Sequence, residues 1–226
     1  MAGFVTLIFT ALARWLRGVS FSGAIAGAVV CFAIYVAEGP AAVATLVAVF
    51  VLTWISTRFG YRRKQGLGTA QSADGRTASQ VLANLAVAAA CAVCFRTLER
   101  QAFVLATVAA LAEAATDTVS SEFGQARSRT ARLITTWESV PAGTNGGISL
   151  IGTLAGTAAA ACVALVAFAT RLIAAPWIAM AVVAAFAGMI ADSFLGALLE
   201  RRRVLNNDWV NFLGTLTAAG LALLLA

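Results

Sequence analysis

The chain has 226 residues, 61% of them hydrophobic and 12% charged, with a formal net charge of +6 and no histidine. Soluble domains carry about 25% charged residues, so this composition excludes one and points to a single membrane domain over residues 1–226. The basic excess is arginine except for Lys64, and it is read as loops facing lipid headgroups and anionic substrates, not nucleic acid.

Residues 1–21 begin with Phe4, Leu7, Ile8, Leu12, Trp15 and Leu16, followed by or interleaved with Arg14 and Arg17. This pattern predicts an interfacial helix, with a short first span as the alternative. No cleavable leader is expected, since Val36-Ala-Glu-Gly39 does not resemble a processing site. Apolar runs then fall at about 22–37, 41–57, 78–95, 102–119, 148–169, 175–199 and 209–226. Each approaches the ~20 residues that cross a bilayer, so the fold class is all-α, a polytopic bundle of about seven spans.

With seven spans, the N-terminal segment and the loops 58–77, 120–147 and 200–208 share one side. That side carries Lys64 and every arginine except Arg96, Arg100 and Arg171. The positive-inside rule makes it cytoplasmic, although loop length contributes to the asymmetry.

Loop 58–77 holds Arg62, Arg63, Lys64, Gly66, Gly68, Asp74, Gly75 and Arg76. Arginine forks and a lysine point charge both suit phosphate oxygens, whereas Arg62 and Arg63 read more simply as snorkelling to headgroups. Arg76 leads into a polar stripe, Gln80 and Asn84, on the third span. Similar text opens the fifth and seventh spans, Ser149-Leu-Ile-Gly-Thr153 and Asn211-Phe-Leu-Gly-Thr215, which makes a weak internal repeat. Polar residues four apart share a helical face; interhelical glue and a transporter repeat explain such stripes equally well. Cys91 and Cys94 form a lone Cys-x-x-Cys without further zinc ligands, so the four cysteines are read as packing residues.

Asp117 ends the fourth span, with Glu113 one turn deeper and Glu122 just beyond, and Asp192 ends the sixth. Carboxylates at membrane depth are expensive unless partnered. With arginines nearby they suit Mg²⁺ and phosphate, because Mg²⁺ takes one or two carboxylates and completes its shell with water and phosphate; the alternative is ion pairing between spans. Pro141-Ala-Gly-Thr-Asn-Gly-Gly147 leads into the fifth span and offers backbone amides near a helix start for a phosphate. Arg201, Arg202 and Arg203 read as a topology anchor. Without histidine, general-base duty falls on a carboxylate, and an acceptor that is already a phosphate monoester needs no strong base.

Three ordered segments carry a resemblance: Gly75-Arg-Thr-Ala-Ser-Gln-Val-Leu-Ala-Asn84; Asp117-Thr-Val-Ser-Ser-Glu-Phe-Gly124 with Leu133 to Gly147; and Asp192-Ser-Phe-Leu-Gly196 with Asn206-Asn-Asp-Trp-Val-Asn211. Over residues 60–215 the chain resembles the membrane family that includes plant and cyanobacterial phytyl-phosphate kinase. The resemblance implies Mg²⁺-assisted transfer of a phosphoryl group from CTP to a prenyl monophosphate. It implies functional roles for Arg76, Gln80, Asn84, Asp117, Glu122, Thr144, Asn145, Gly146, Gly147, Asp192, Asn207 and Asn211. Among these, Asp117, Glu122 and Asp192 are the expected catalytic and metal residues, with Lys64 joining the phosphate binders. Thr116 and Ala131 depart from the alanine and proline expected there, which bears on loop shape. A lipid cytidylyltransferase and a transporter of a small anion or lipid phosphate are the rival readings; a homo-oligomer, the prenyl length and the nucleotide base stay open.

Overall fold

The computed structural model describes residues 1–226. Its helices are α1 (Ala2–Trp15), α2 (Phe21–Glu38), α3 (Pro40–Arg58), α4 (Tyr61–Leu67), α5 (Ala78–Leu98), α6 (Ala102–Arg127), α7 (Leu150–Ala169), α8 (Ala175–Leu195) and α9 (Asn207–Leu225). Seven are long and apolar enough to cross a membrane: α2, α3 and α5 through α9. Helix α6 is the axis of the bundle, with 83% of its apolar window buried against 28% to 39% for the others. The outer helices turn large apolar side chains outward, as α2 does with Phe21, Ile25, Val29 and Val36.

Small residues let the helices close on α6. A Cβ at Gly156 would stand 2.7 Å from the Thr116 carbonyl oxygen, and one at Gly152 would crowd Ser120. Such approach supplies the packing that lipid-immersed helices need, since lipid gives apolar side chains no reason to leave it. The starts of α2, α7 and α9 are capped by Ser20, Ser149 and Asn206, whose oxygens accept from Gly23, Gly152 and Trp209 amides at 3.0 to 3.1 Å. Gln80 Oε1 accepts from the Thr77 amide at 3.0 Å at the start of α5. All four caps lie at the loop-rich end, so the loops there have defined exits.

Three features exceed the sequence reading. Helix α6 runs on to Arg127, which puts Glu122 on the helix instead of in a loop. Residues Thr130–Leu133 (β1), Ser139–Pro141 (β2) and Gly147–Ile148 (β3) form an antiparallel sheet of order β2-β1-β3, with Ala131 opposite Val140 and Arg132 opposite Ile148. Strands this short carry too little alternation to be seen in sequence; they are a minor addition to an otherwise helical membrane fold.

Third, α1 does not lie across the end of the bundle. Its 14 residues fall short of the ~20 that span a bilayer. It runs back along α2 and α3, with Thr6 Oγ1 3.8 Å from Cys31 Sγ and Phe9 edge-on to Phe50 at 5.5 Å. Leu16 at its end is held by Trp54 Nε1, which donates to the Leu16 carbonyl at 3.1 Å, and by Arg58, which donates to it at 2.6 Å.

Candidate active site

Asp117 on α6 and Asp192 on α8 line one polar cavity of about 170 Å³ at the loop-rich end. Span parity brought both to this end; packing of α8 against α6 brings them to one cavity. The opposite wall is the turn 143–147. A π-helical turn, Gly196–Glu200, continues α8 and meets this wall. Gly146 has φ +77°, and a Cβ there would overlap Ala197, so the turn rests directly on the end of α8. Only glycine fits that contact.

The turn offers fewer amides than five residues suggest. The Thr144 amide donates to Pro141 at 3.2 Å and the Gly147 amide to Thr144 at 2.8 Å. The amides left to meet a ligand are those of Gly143, Asn145 and Gly146, all in the cavity wall. Nor does the turn run straight into a helix: β3 intervenes, and Ser149 caps α7.

Behind the cavity sits Glu113, 1% exposed, where α6 crosses α8 and α9. Gly188 and Gly214 make room for it: a Cβ at Gly214 would stand 2.6 Å from Glu113 Oε1. Glu113 Oε1 and Asp192 Oδ2 are buried without a hydrogen-bond partner. Buried carboxylate oxygens without partners, from two acids that both pack against Gly214, call for a cation or a proton. An all-oxygen, carboxylate-rich pocket open to a cavity fits a hard divalent ion such as Mg²⁺ better than a softer metal. Asp117 and Asp192 would hold it, with Glu113 behind them. The expected trio of Asp117, Glu122 and Asp192 is not drawn together: no three acidic or thiol side chains converge as a ligand group.

Glu122 is engaged elsewhere. Its Oε2 pairs with Lys64 Nζ, and Lys64 is 0% exposed. The same ammonium donates to the Ser56 and Thr57 carbonyls at 3.0 and 2.8 Å. With three donors and three acceptors, Lys64 is saturated. The structure therefore sets Lys64 and Glu122 as a brace between α3, α4 and α6, outside the polar cavity, instead of at phosphate and metal. Helix α4 reaches α6 because Gly60, at φ +64°, passes close over Ala126.

Arg76 is built in from its backbone outward. Its amide donates to the Gly18 carbonyl at 3.1 Å, and its carbonyl accepts from the Ser20 amide at 2.9 Å. Gly75, at φ +85°, permits this: a Cβ would stand 2.8 Å from the Arg17 carbonyl oxygen. The guanidinium donates to Thr118 Oγ1 at 3.0 Å. Burial pulls its pKa below the ordinary value, while Glu122 and Asp117 push it up. A guanidinium stays protonated in proteins, so Arg76 is a cation held next to Thr118, the residue after Asp117.

The remaining expected residues divide. Asn207 lines the polar cavity with Thr144, Asn145, Gly146 and Gly147. Asn211, one turn along α9, does not. Gln80 is occupied in the cap of α5, and Asn84 donates to its carbonyl at 2.8 Å. Ser121 and Gln125 are cavity residues that the sequence reading missed. They follow Asp117 at four-residue intervals, hence on its helical face, a signal that needed α6 to continue beyond the apolar run.

A model of the integral membrane protein DUF92 family matches residues 4–219, and the chain belongs to that family. It is 34% identical over 172 residues to an uncharacterized membrane protein of Synechocystis sp., covering 74% of this chain and 67% of that one. An uncharacterized membrane protein of Methanocaldococcus jannaschii is 33% identical over 184 residues, covering 80% and 74%. The chloroplastic protein VTE6 of Arabidopsis thaliana is 31% identical over 218 residues, which is 92% of this chain and 65% of the plant protein. No solved structure matches. The resemblance carried by the three motifs thus holds at the level of the family.

Proposed function

We propose, for this member of the DUF92 family, that the cavity transfers the γ-phosphoryl group of CTP to a prenyl monophosphate at the cytoplasmic face of the membrane. An anionic oxygen of the acceptor phosphate attacks the γ-phosphorus, and the bond to the departing CDP breaks, leaving a prenyl diphosphate. The observation that carries this reading is a single cavity with Asp117 and Asp192, whose Oδ2 is buried without a partner, on one side and the Asn145 and Gly146 amides on the other. The motif resemblance to the phytyl-phosphate kinase family supports the choice of acceptor. The basic residues gathered at this end support the cytoplasmic orientation.

The chain supplies position and charge. Asp117 and Asp192 would hold Mg²⁺, which neutralises phosphate charge when bound. The Asn145 and Gly146 amides align the nucleotide phosphates, and Arg76, a fixed cation next to Thr118, holds the acceptor phosphate. No side chain must remove a proton, because the acceptor oxygen is already ionised, so the lack of histidine is no handicap. Alignment of two bound phosphates carries most of the rate.

The test is purified protein in nanodiscs with CTP, Mg²⁺ and geranylgeranyl or phytyl monophosphate. Prenyl diphosphate and CDP in equal amounts are expected. Pyrophosphate with a CDP-lipid would identify a cytidylyltransferase instead, and substrate uptake into vesicles without nucleotide turnover a transporter. No diphosphate across a panel of prenyl lengths and nucleotides refutes the kinase.

A further inference from the structure

A second cavity, of about 340 Å³, lies between α1, α2, α3 and α5. Its size falls in the roughly 300–1,000 Å³ range of small-molecule sites. Phe9, Ala24, Leu46, Val49 and Phe50 make its body apolar, while Arg17, Arg58 and Arg76 contribute cations to its wall. It therefore offers the two halves of an amphiphile's needs, apolar walls for a tail and guanidinium groups for an anionic head.

Two connections tie it to the polar cavity. Arg76 belongs to its wall and also donates, at 3.0 Å, to Thr118, the residue after Asp117. Ala114, in its floor, precedes Asp117 by one helical turn on the same face of α6. A phosphate held at Arg76 thus has the carboxylate basin on one side and this apolar chamber on the other.

The glycines of α2 and its entry differ in purpose. A Cβ at Gly18 would strike the Phe50 ring at 2.6 Å, and one at Gly23 would strike the Arg76 carbonyl, so side-chain packing asks for glycine at the first and backbone packing at the second. Gly27 lines the cavity, and a Cβ there would meet nothing within 4 Å. Packing does not demand it, and glycine weakens a helix relative to alanine. What Gly27 leaves is open bore.

We infer that this chamber seats the isoprenoid tail of the monophosphate acceptor, with Gly27 setting how long a tail it admits and α1, through Phe9 against Phe50, closing the side toward lipid. The inference rests on the kinase reading for the identity of the head group. It assigns α1 a direct part in substrate binding.

The experiment has two arms. In wild-type protein without nucleotide, a geranylgeranyl monophosphate with a diazirine at the tail end should label the α2 and α3 peptides around Gly27, Val49 and Phe50. Unlabelled geranylgeranyl monophosphate should compete; phosphatidic acid at the same concentration should not. In turnover, G27L should lower the ratio of kcat/KM for geranylgeranyl over geranyl monophosphate by about tenfold or more, because a filled apolar bore discriminates on that scale. Labelling confined to the lipid-facing Ile25 and Val29, or equal competition by phosphatidic acid, overturns the inference, as does an unchanged ratio in G27L. Diphosphate formation with labelling only on the lipid face leaves the kinase standing without this tail seat. Labelling inside the chamber with no diphosphate formed keeps the seat and removes the kinase.

Discussion

Asp117 and Glu122 sit five positions apart on one helix, yet the protein treats them in opposite ways. Glu122 is closed off: Lys64 pairs with it, and the two Ser56 and Thr57 carbonyls complete the lysine. Asp117 opens on a cavity that it shares with Asp192 and Glu200; Asp192 has a buried oxygen with no partner, and Glu113 behind it has another. A buried charge with all its partners inside the chain is a strut. One whose partners are missing is a place for something that arrives from outside. The contrast separates structural from functional acids by their partners, which position along the helix does not reveal.

The contrast can be broken most directly at Asp117 and Asp192. Asn at either position should cut turnover by about 10³-fold, roughly 4 kcal/mol of transition-state stabilisation. The melting temperature of Asp192→Asn in detergent should hold or rise, since its Oδ2 has no partner to lose, whereas Asp117→Asn also takes a counter-charge from Arg76. Normal turnover in both variants would end the assignment. Lys64→Met should instead strike stability, by about 3 kcal/mol, because it strands Glu122 in the interior. The double variant K64M/E122L should recover much of that loss in an unfolding titration. A K64M protein that melts like wild type but cannot bind nucleotide would return Lys64 to the phosphate site.

Gly156→Val should cost about 2 kcal/mol by forcing α7 off α6 at Thr116, seen as a lower melting temperature. Arg76→Lys gives the smallest effect: charge survives but the fork is lost, so KM for the prenyl monophosphate should rise about tenfold. KM for CTP should move much less, and equal changes in both constants would place Arg76 at the nucleotide instead.

The bundle was readable because seven apolar runs near bilayer length leave few other folds, and their parity carries Asp117 and Asp192 to one end. The glycine turn was readable as a ligand wall, though not its effective width, which depends on which amides bond within the turn. Lys64 could not be placed from its neighbours in sequence: a basic loop residue looks the same whether it meets lipid, phosphate or a carboxylate 58 positions away. Arg76 stood out beside Gly75, but its anchoring by Gly18 and Ser20 requires α1 and α2 to fold back against the loop.

The amino-acid order alone therefore determined the spans, their number, the end at which charge collects and the residues competent for phosphate chemistry, since these follow from local hydropathy and side-chain type. Only the tertiary structure decided which acids are spent on internal bonds, which remain open, and that α1 walls an apolar chamber next to them. Those outcomes depend on contacts between distant helices, where a glycine's missing Cβ or one buried ammonium decides what fits.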